Sequence, residues 1–254
     1  SPTVTLTTSA TSIAENSGST LTLTATISQV ADEDVIVNLN TAGTSTNGSD
    51  YGTLTRITVS AGQTTGTVAF DPTDDSVYEG NETAIISISS VSGADAAESG
   101  SQSVTITITE NDSSPTITLT SSASSIAENA GTSLTLTATS SIVADEDITV
   151  TIGTGGGGTE GTDYSTISDI TISAGSTTGT ASFTPTDDSV YEGNETGIVA
   201  IASVSGGSAT EDGTQSVTIT ISENESAPTV TLTSSASSIA ENAGSSLTLT
   251  ATLS

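Results

Sequence analysis

The sequence predicts an all-β protein composed of tandem antiparallel β-sandwiches. Three observations support this class. The chain repeats itself at a fixed interval, apolar residues alternate with threonine or serine inside each repeat, and no segment shows helical periodicity. Only 2% of the 254 residues are aromatic and 24 are glycine, so we expect small cores built mainly from aliphatic side chains.

The repeat length follows from three copies of one segment. Residues 1–6 read SPTVTL, residues 114–119 read SPTITL and residues 227–232 read APTVTL, which makes the interval 113 residues. A unit of this length is typical of a domain rather than of a solenoid repeat. The sequence therefore predicts one unit at 1–113, a second at 114–226, and strands A and B only of a third at 227–254.

Strands within a unit are predicted from period-two alternation, as in Leu21–Ile27, where apolar residues alternate with threonine. In the first unit, seven such segments, named strands A to G, occur at Val4–Leu6, Leu21–Ile27, Val35–Leu39, Ile57–Val59, Thr67–Phe70, Ile86–Val91 and Val104–Ile108. Seven short strands without a helix favour a sandwich with Greek-key connections. Phe70 and Phe183 fall in strand E and are predicted to be core residues.

Strand direction predicts which loops share an end of the sandwich. If successive strands run antiparallel, the A–B, C–D and E–F connections and the end of strand G meet at one end, named the exit end because the chain leaves the unit there. Seven carboxylates are expected at that end: Glu15, Asp50, Asp74, Asp75, Glu79, Glu110 and Asp112. The B–C loop with Asp32–Asp34 and the F–G loop with Asp95 and Glu98 are expected at the opposite, entrance end.

The charge balance indicates that the exit end binds a cation. The chain has one basic residue, Arg56, against 30 acidic residues, and its net charge is −29. Like charges about 4 Å apart repel even in water, and oxygen ligands without histidine or cysteine suit Ca²⁺, which accepts six to eight oxygens in flexible geometry. The sequence therefore predicts Ca²⁺ at this end. The alternative is that the acidic loops are simply solvated.

Composition excludes several classes of function. A chain this acidic has no basic surface for nucleic acid, and no apolar segment has the length needed for membrane insertion. Histidine, cysteine and methionine are absent, which removes most transition-metal and nucleophile–base chemistry. The acidic residues also recur at the same positions in an adjacent copy, and no aromatic cleft accompanies them. We therefore expect that this protein is not an enzyme.

Two segments resemble the Calx-beta domain family. These are residues 57–68, ITVSAGQTTGTV, and residues 74–83, DDSVYEGNET, and the paired aspartates are the most specific feature. The resemblance covers both full units. It implies an Ig-like sandwich that binds a calcium cluster at its exit end, the same end that strand direction indicates. The terminal acidic run departs from the family pattern, with Asn111 and Asn224 at its middle position.

The resemblance also implies which residues are calcium ligands. In the first unit they are the seven exit-end carboxylates named above. In the second unit they are Glu128, Asp163, Asp187, Asp188, Glu192, Glu223 and Glu225.

The expected function is a structural one outside the cell. Tandem units, strong negative charge and calcium sites indicate a calcium-rigidified stalk of a secreted adhesin or surface filament, with neighbouring repeats, and other copies in a filament, as partners. The alternative is an adhesive module whose repeats contact glycan or protein chains, with polymerisation by strand complementation. Four tyrosines adjoin proposed ligands, either as a carbohydrate platform or as plugs for a sparse core. We expect the chain to be a piece of a longer product.

Overall fold

A computed structural model describes residues 1–254, and all of its regular structure is β. The predicted class of tandem β-sandwiches is confirmed. The first sandwich contains ten strands: β1 (Thr3–Thr8), β2 (Ser12–Ala14), β3 (Leu21–Ile27), β4 (Val35–Gly43), β5 (Arg56–Val59), β6 (Thr65–Phe70), β7 (Val77–Tyr78), β8 (Glu82–Ser92), β9 (Ala97–Glu98) and β10 (Ser103–Thr109).

Two sheets form the first sandwich, with strand orders β6-β3-β1-β9 and β2-β10-β8-β4-β5. Predicted strand A is divided between them. Its first part, β1, pairs antiparallel with β3, and its second part, β2, pairs parallel with β10 in the opposite sheet. The chain thus crosses from one sheet to the other near Ala10, whose carbonyl accepts a hydrogen bond from the Thr8 hydroxyl at 2.8 Å. This crossing carries Glu15 to the end of β10.

The second sandwich repeats this topology with sheets β17-β13-β11-β19 and β12-β20-β18-β15-β16. Its strands are β11 (Thr116–Ser121), β12 (Ser125–Ala127), β13 (Leu134–Ser140), β14 (Val143–Ala144), β15 (Ile148–Gly156), β16 (Ile170–Ile172), β17 (Thr178–Phe183), β18 (Glu195–Ser205), β19 (Thr210–Glu211) and β20 (Ser216–Ser222). Residues 227–254 form only a hairpin of β21 (Val230–Ser234) and β22 (Leu249–Leu253).

Each sandwich has its own core, because alternate side chains of the facing sheets point inward. The cores contain 20 and 18 buried residues. The phenylalanines predicted to be core residues are fully buried, and each stacks on a buried tyrosine: Phe70 on Tyr51 with ring centroids 4.6 Å apart, and Phe183 on Tyr164 at 4.7 Å. This aromatic pair closes each small core beneath the loops of the exit end.

The strands differ from prediction mainly at their ends. Strand F begins at Glu82 rather than Ile86, because β4 also extends, to Gly43, and the two strands stay paired to that point with a bulge after Asn38. Gly43 has a φ of 115°, and a Cβ there would collide with the Thr83 carbonyl. Only glycine fits this close approach of β4 to β8, which leads the chain toward Asp50.

The two sandwiches meet through a short parallel ladder. Strand β7 of the first pairs with β14 of the second, with Val77 opposite Val143 and Tyr78 opposite Ala144. The linker between them contains Pro115, which is buried. The exit end of the first sandwich therefore contacts the entrance end of the second.

Candidate metal centre

Backbone hydrogen bonds bring the exit-end loops of the first repeat together. The Glu15 N–H donates to the Thr109 carbonyl at 3.1 Å, and the Asp75 N–H donates to Glu15 Oε1 at 3.3 Å. The Thr73 N–H donates to the Asp50 carbonyl at 2.9 Å. Three connections that are distant in sequence are thus joined at the end of β10, as strand direction predicted.

One glutamate in each repeat organises these loops. Glu110 accepts four backbone hydrogen bonds, and the donors are Glu79 at 2.7 Å, Gly80 at 2.9 Å, Asn111 at 2.8 Å and Asp112 at 2.8 Å. Glu223 holds the equivalent position in the second repeat, where hydrogen bonds from Glu225 and from the Glu192 backbone lower its pKa to about 2. A carboxylate with several such donors stays ionised and fixes the loop around it.

Three carboxylates of the first repeat converge beside this glutamate. Asp50, Glu79 and Glu82 each offer an oxygen, and the three oxygens lie within 4.8 Å of one another. Burial followed by the charge of Asp50 raises the pKa of Glu79 to about 7 and that of Glu82 to about 8. Glu82 is only 9% exposed. Such shifts mean that the three groups cannot all ionise easily without a cation.

The second repeat contains three overlapping groups of the same kind, again with oxygens within 4.8 Å of one another. The groups are Asp163–Glu192–Glu195, Glu128–Asp188–Glu192 and Glu128–Glu223–Glu225. Glu128 and Glu192 each belong to two groups, so the acids form one continuous cluster. The third group is closed by Glu225, which is one methylene longer than its counterpart Asp112.

Two further features indicate a missing positive charge. Burial, followed by the charges of Glu110 and Asp75, raises the pKa of Glu15 to about 7, and Glu15 is 5% exposed. The hydrogen bond with Glu223, followed by removal of water, raises the pKa of Glu225 to about 7. One buried carboxylate oxygen has no hydrogen-bond partner in each repeat, Asp112 Oδ2 in the first and Glu225 Oε2 in the second. Orphaned buried acceptors are costly unless something binds them.

These residues fit a hard divalent cation. The converging donors are carboxylate oxygens, and neither histidine nor cysteine is present. Ca²⁺ accepts six to eight such oxygens in flexible geometry, whereas Mg²⁺ requires a near-ideal octahedron. A cation would offset the mutual repulsion that raises the pKa values and would satisfy the orphaned oxygens. The acidic clusters can therefore hold a metal.

Not every proposed ligand is brought into a group. Of the seven predicted ligands of the first repeat, only two belong to a close group, Asp50 and Glu79, and five belong to none: Glu15, Asp74, Asp75, Glu110 and Asp112. In the second repeat only Asp187 is left out, and Asp187 and its counterpart Asp74 are both exposed. The charge of Asp74 nevertheless contributes to the raised pKa of Asp112, after removal of water and the charge of Glu110. The second aspartate holds its own loop, since Asp75 Oδ1 accepts the Val77 N–H at 2.8 Å.

Two site residues, Glu82 and Glu195, were missed by the sequence reasoning. The alternation that predicts strand F contains the signal for Glu82: Ala84 and Ile86 are buried, and a residue two positions earlier in a strand faces the same side. Extending the strand by two pairs of residues, from Ile86 back to Glu82, places Glu82 inside the sandwich at its exit end. Glu195 follows by the repeat interval.

The tyrosines divide into two classes. Tyr51 and Tyr164 are 0% and 1% exposed, so the interpretation of these two as a carbohydrate platform is wrong, and they plug the core. Tyr78 lies half-buried in β7, while its counterpart Tyr191 is 45% exposed.

Comparison with known proteins agrees with this architecture. The Calx-beta domain profile matches residues 1–112 and again residues 110–225. Among solved structures, the chain is similar to CBD12 from CALX1.2 at 13% identity and a TM-score of 0.39, over 87% of this chain and 100% of that chain. It is also similar to invasin, a bacterial integrin-binding protein, at 17% identity and a TM-score of 0.39, over 97% of this chain and 45% of invasin.

A third similar structure is the Yersinia pseudotuberculosis adhesin InvE, at 14% identity and a TM-score of 0.38, over 86% of this chain and 58% of the adhesin. No curated protein matches the sequence significantly. The structure contains no helix that is long and apolar enough to cross a membrane. The family assignment rests on the profile match, which extends over both sandwiches: the chain belongs to the Calx-beta family and carries two Calx-beta domains in tandem.

Proposed function

We propose that this chain is the calcium-binding repeat region of an extracellular protein, in which calcium makes a string of domains into a rigid stalk. The observation that carries the proposal is the convergence of carboxylates around one buried glutamate at the exit end of each domain, Glu82 in the first and Glu128 in the second, with one orphaned carboxylate oxygen in each. Ca²⁺ bound there supplies the positive charge that these groups lack.

Each residue class has a separate role in this proposal. Glu110 and Glu223 keep the loops in place through their backbone hydrogen bonds. These two glutamates and the other exit-end acids hold the ion, and in the first repeat the others are Glu15, Asp50, Asp75, Glu79, Glu82 and Asp112, with Asp74 at the margin. Asp163, Glu128, Asp188, Glu192, Glu195 and Glu225 do the same in the second repeat, with Asp187 at the margin.

The stalk follows from the position of the cluster at the seam between domains. Strand β7, which pairs with the second domain, lies between the paired aspartates and Glu79. An ion that orders this loop also orders the strand that the next domain contacts. Binding to one conformation stabilises it by mass action, so calcium would hold the two domains in one orientation.

An extracellular location agrees with the demands of the site and the composition. Extracellular calcium modules bind with dissociation constants of about 0.1–1 mM, which cytosolic calcium would not fill. A net charge of −29 keeps such a repeat soluble and discourages association with other acidic surfaces.

Calcium titration tests the proposal directly. Chelator-treated chain is titrated with Ca²⁺ and, separately, with Mg²⁺ by calorimetry, and small-angle X-ray scattering follows the maximum dimension of the particle. We expect saturable binding of Ca²⁺ in preference to Mg²⁺ and a longer, better-defined particle in calcium. Absence of saturable binding at 10 mM Ca²⁺ would exclude a calcium-binding role; an unchanged scattering curve despite binding would exclude the stalk.

A second candidate function is assembly through strand complementation. The hairpin β21–β22 exposes Val230, Leu232, Leu249 and Leu253 by 66–69%, whereas the equivalent residues of the first domain, among them Val4 and Leu23, are fully buried by the opposing sheet. A hairpin by itself is marginally stable in water, and in this candidate function strands from another chain cover the exposed face. Light scattering across a concentration series checks it: growth in mass supports assembly, and a constant monomer mass argues against it.

An adhesive module, the alternative function, requires a surface that recognises a partner. Tyr191, 45% exposed at the exit end of the second domain, is the tyrosine best placed to stack on a sugar. A glycan array probed with the full chain and with Tyr191→Ala tests this role. Binding that the substitution abolishes would support this role, and an empty array would argue against it.

A further inference from the structure

The B–C loop of the second domain lies against the metal cluster of the first. The loop carries three consecutive acids, Asp145, Glu146 and Asp147. Ladder pairing of β14 with β7 places Ala144 opposite Tyr78, and the Asp145 N–H then donates to the Tyr78 carbonyl at 3.3 Å. Asp145 is consequently held beside Glu79, the next residue after Tyr78.

The other two acids of the loop are already engaged within the second domain. Asp147 Oδ1 accepts the Ala174 N–H at 2.8 Å, and Glu146 Oε2 accepts the Gly207 N–H at 3.0 Å. Asp145 caps neither turn. The first of the three acids is therefore the one that is free to face the neighbouring domain.

The B–C loop of the first domain has the same pattern of hydrogen bonds. There Asp34 Oδ1 accepts the Ala61 N–H at 2.8 Å, and Glu33 accepts the Ala94 N–H. Asp32, the counterpart of Asp145, caps neither turn. Within residues 1–254 no acidic group faces Asp32 from another domain, so Asp32 supplies a matched residue with the same local hydrogen bonds.

Electrostatic coupling crosses the junction in both directions. The charge of Asp145 is among those that raise the pKa values of Glu79 and Glu82, after burial and Asp50. In turn, the pKa of Asp145 is raised by removal of water, then by the charge of Glu146, and then by the charges of Asp50 and Glu110. The residue as a whole stays exposed. The carboxylates on the two sides of the seam therefore face one another.

A buried carboxylate belongs to the same group. Glu82 is 9% exposed, and its oxygen lies within 4.8 Å of those of Asp50 and Glu79. Its hydrogen-bond partner is the carboxyl of Asp50, and the charges that act on it are those of Asp50, Glu79 and Asp145, so no cation compensates it. A group buried in this way requires a positive partner.

We infer that Asp145 completes the Asp50–Glu79–Glu82 cation site of the preceding domain, so that this site is shared between two repeats. The inference rests on the proposed calcium binding and deepens it by naming a ligand from the following domain. The bound ion then links the domains directly, in addition to ordering the β7 loop.

The test compares Asp145→Asn with Asp32→Asn in the full chain. Both variants remove one negative charge from an exposed first position of a B–C loop, so neither is expected to disturb a core. Calcium calorimetry after chelator treatment measures affinity and stoichiometry, and small-angle scattering in calcium measures the orientation of the domains. Thermal unfolding in chelator confirms that both variants fold.

We expect Asp145→Asn to weaken calcium binding at one site by about tenfold or more, as loss of a charged oxygen ligand from such a site does, and to broaden the distribution of interdomain distances in calcium. Asp32→Asn should match the wild type in both measurements. The inference is overturned if Asp145→Asn binds and scatters like the wild type, or if the two variants weaken binding equally, and in both cases the proposed stalk remains. If the wild type binds no calcium, the proposed function fails as well.

Discussion

Residues 72–83 and 185–196 have the same sequence, PTDDSVYEGNET, but different structures. In the first copy Val77 and Tyr78 form strand β7 and are half-buried. In the second copy the equivalent Val190 and Tyr191 form no strand and are 57% and 45% exposed. The two segments are identical in sequence, so the difference in structure cannot come from the local sequence.

The neighbouring domain accounts for the difference. Strand β14 covers the first copy, whereas the positions equivalent to β14 in the third repeat, 256 and 257, lie beyond the 254 residues of this chain. The electrostatics differ in the same sense. The charge of Asp145 is among those that raise the pKa values of Glu79 and Glu82, whereas those of Glu192 and Glu195 are raised by burial and by charges of their own domain. The acidic group of the first domain is therefore adjacent to the domain seam.

The largest expected effect concerns the hydrophobic cores, which contain the same stacked aromatic pair in both domains. Phe70→Ala and Phe183→Ala each remove a fully buried ring that stacks on a tyrosine. Each should lower the free energy of unfolding of its own domain by about 3–5 kcal/mol. Calorimetric unfolding of the full chain measures both, and clearly unequal losses would show that the cores are less alike than the stacking geometry indicates.

Calcium should stabilise the two domains to different extents. At a concentration 100-fold above its dissociation constant, a ligand adds about 2.7 kcal/mol to the stability of the state that binds it. We expect calcium to raise the unfolding temperatures of both domains, and the first more than the second, because within residues 1–254 only the exit end of the first pairs with a strand of the following domain. Differential scanning calorimetry with chelator and with excess Ca²⁺ checks the order, and a larger rise in the second domain would contradict it.

The pH dependence of stability should change sign with calcium. Glu15 and Glu79 have folded-state pKa values raised from 4.5 to about 7, so the folded protein without calcium binds protons more tightly than the unfolded chain. The stability contributed by these protons is present below about pH 4.5 and is lost as the pH rises through 7 to 8.

In chelator, the unfolding temperature should therefore fall between pH 4.5 and 8. In excess Ca²⁺ it should rise over the same range, because the ion binds the ionised carboxylates and displaces the protons. Thermal melts at half-unit pH steps measure both curves. A calcium-free melting temperature that increases over this range would contradict the raised pKa values.

The smallest expected effect concerns the seam. Val77→Asp places a charge in the β7–β14 ladder, next to Asp75 and Glu79, and should weaken the contact between domains by about 1 kcal/mol, a typical loss for a single substitution. Val190→Asp makes the same change at a site that is 57% exposed and should stay within about 0.5 kcal/mol. Proteolysis of the interdomain linker reports the difference, and equal cleavage of the two variants would argue against a protective ladder.

Much of the candidate site is predictable from the sequence because strand direction alone sorts the loops between two ends. Glu15, Asp50, Asp75 and Glu110 meet where antiparallel strand order places them. Prediction was less accurate at the ends of strands. Glu82 was missed because strand F was started at Ile86, although the pattern of inward-facing residues continues back to it.

The sequence by itself determined the class of fold, the interval of the repeat and the end of each sandwich at which the acids collect, since alternation, turn residues and the parity of strands are local or countable properties. Only the tertiary structure decided how these acids group, which of them are buried, and that the identical segments 72–83 and 185–196 differ. The physical reason is that burial and electrostatic coupling depend on what packs against a residue. For Asp50, Glu79 and Glu82, that includes a loop from the next domain, more than 60 residues further along the chain.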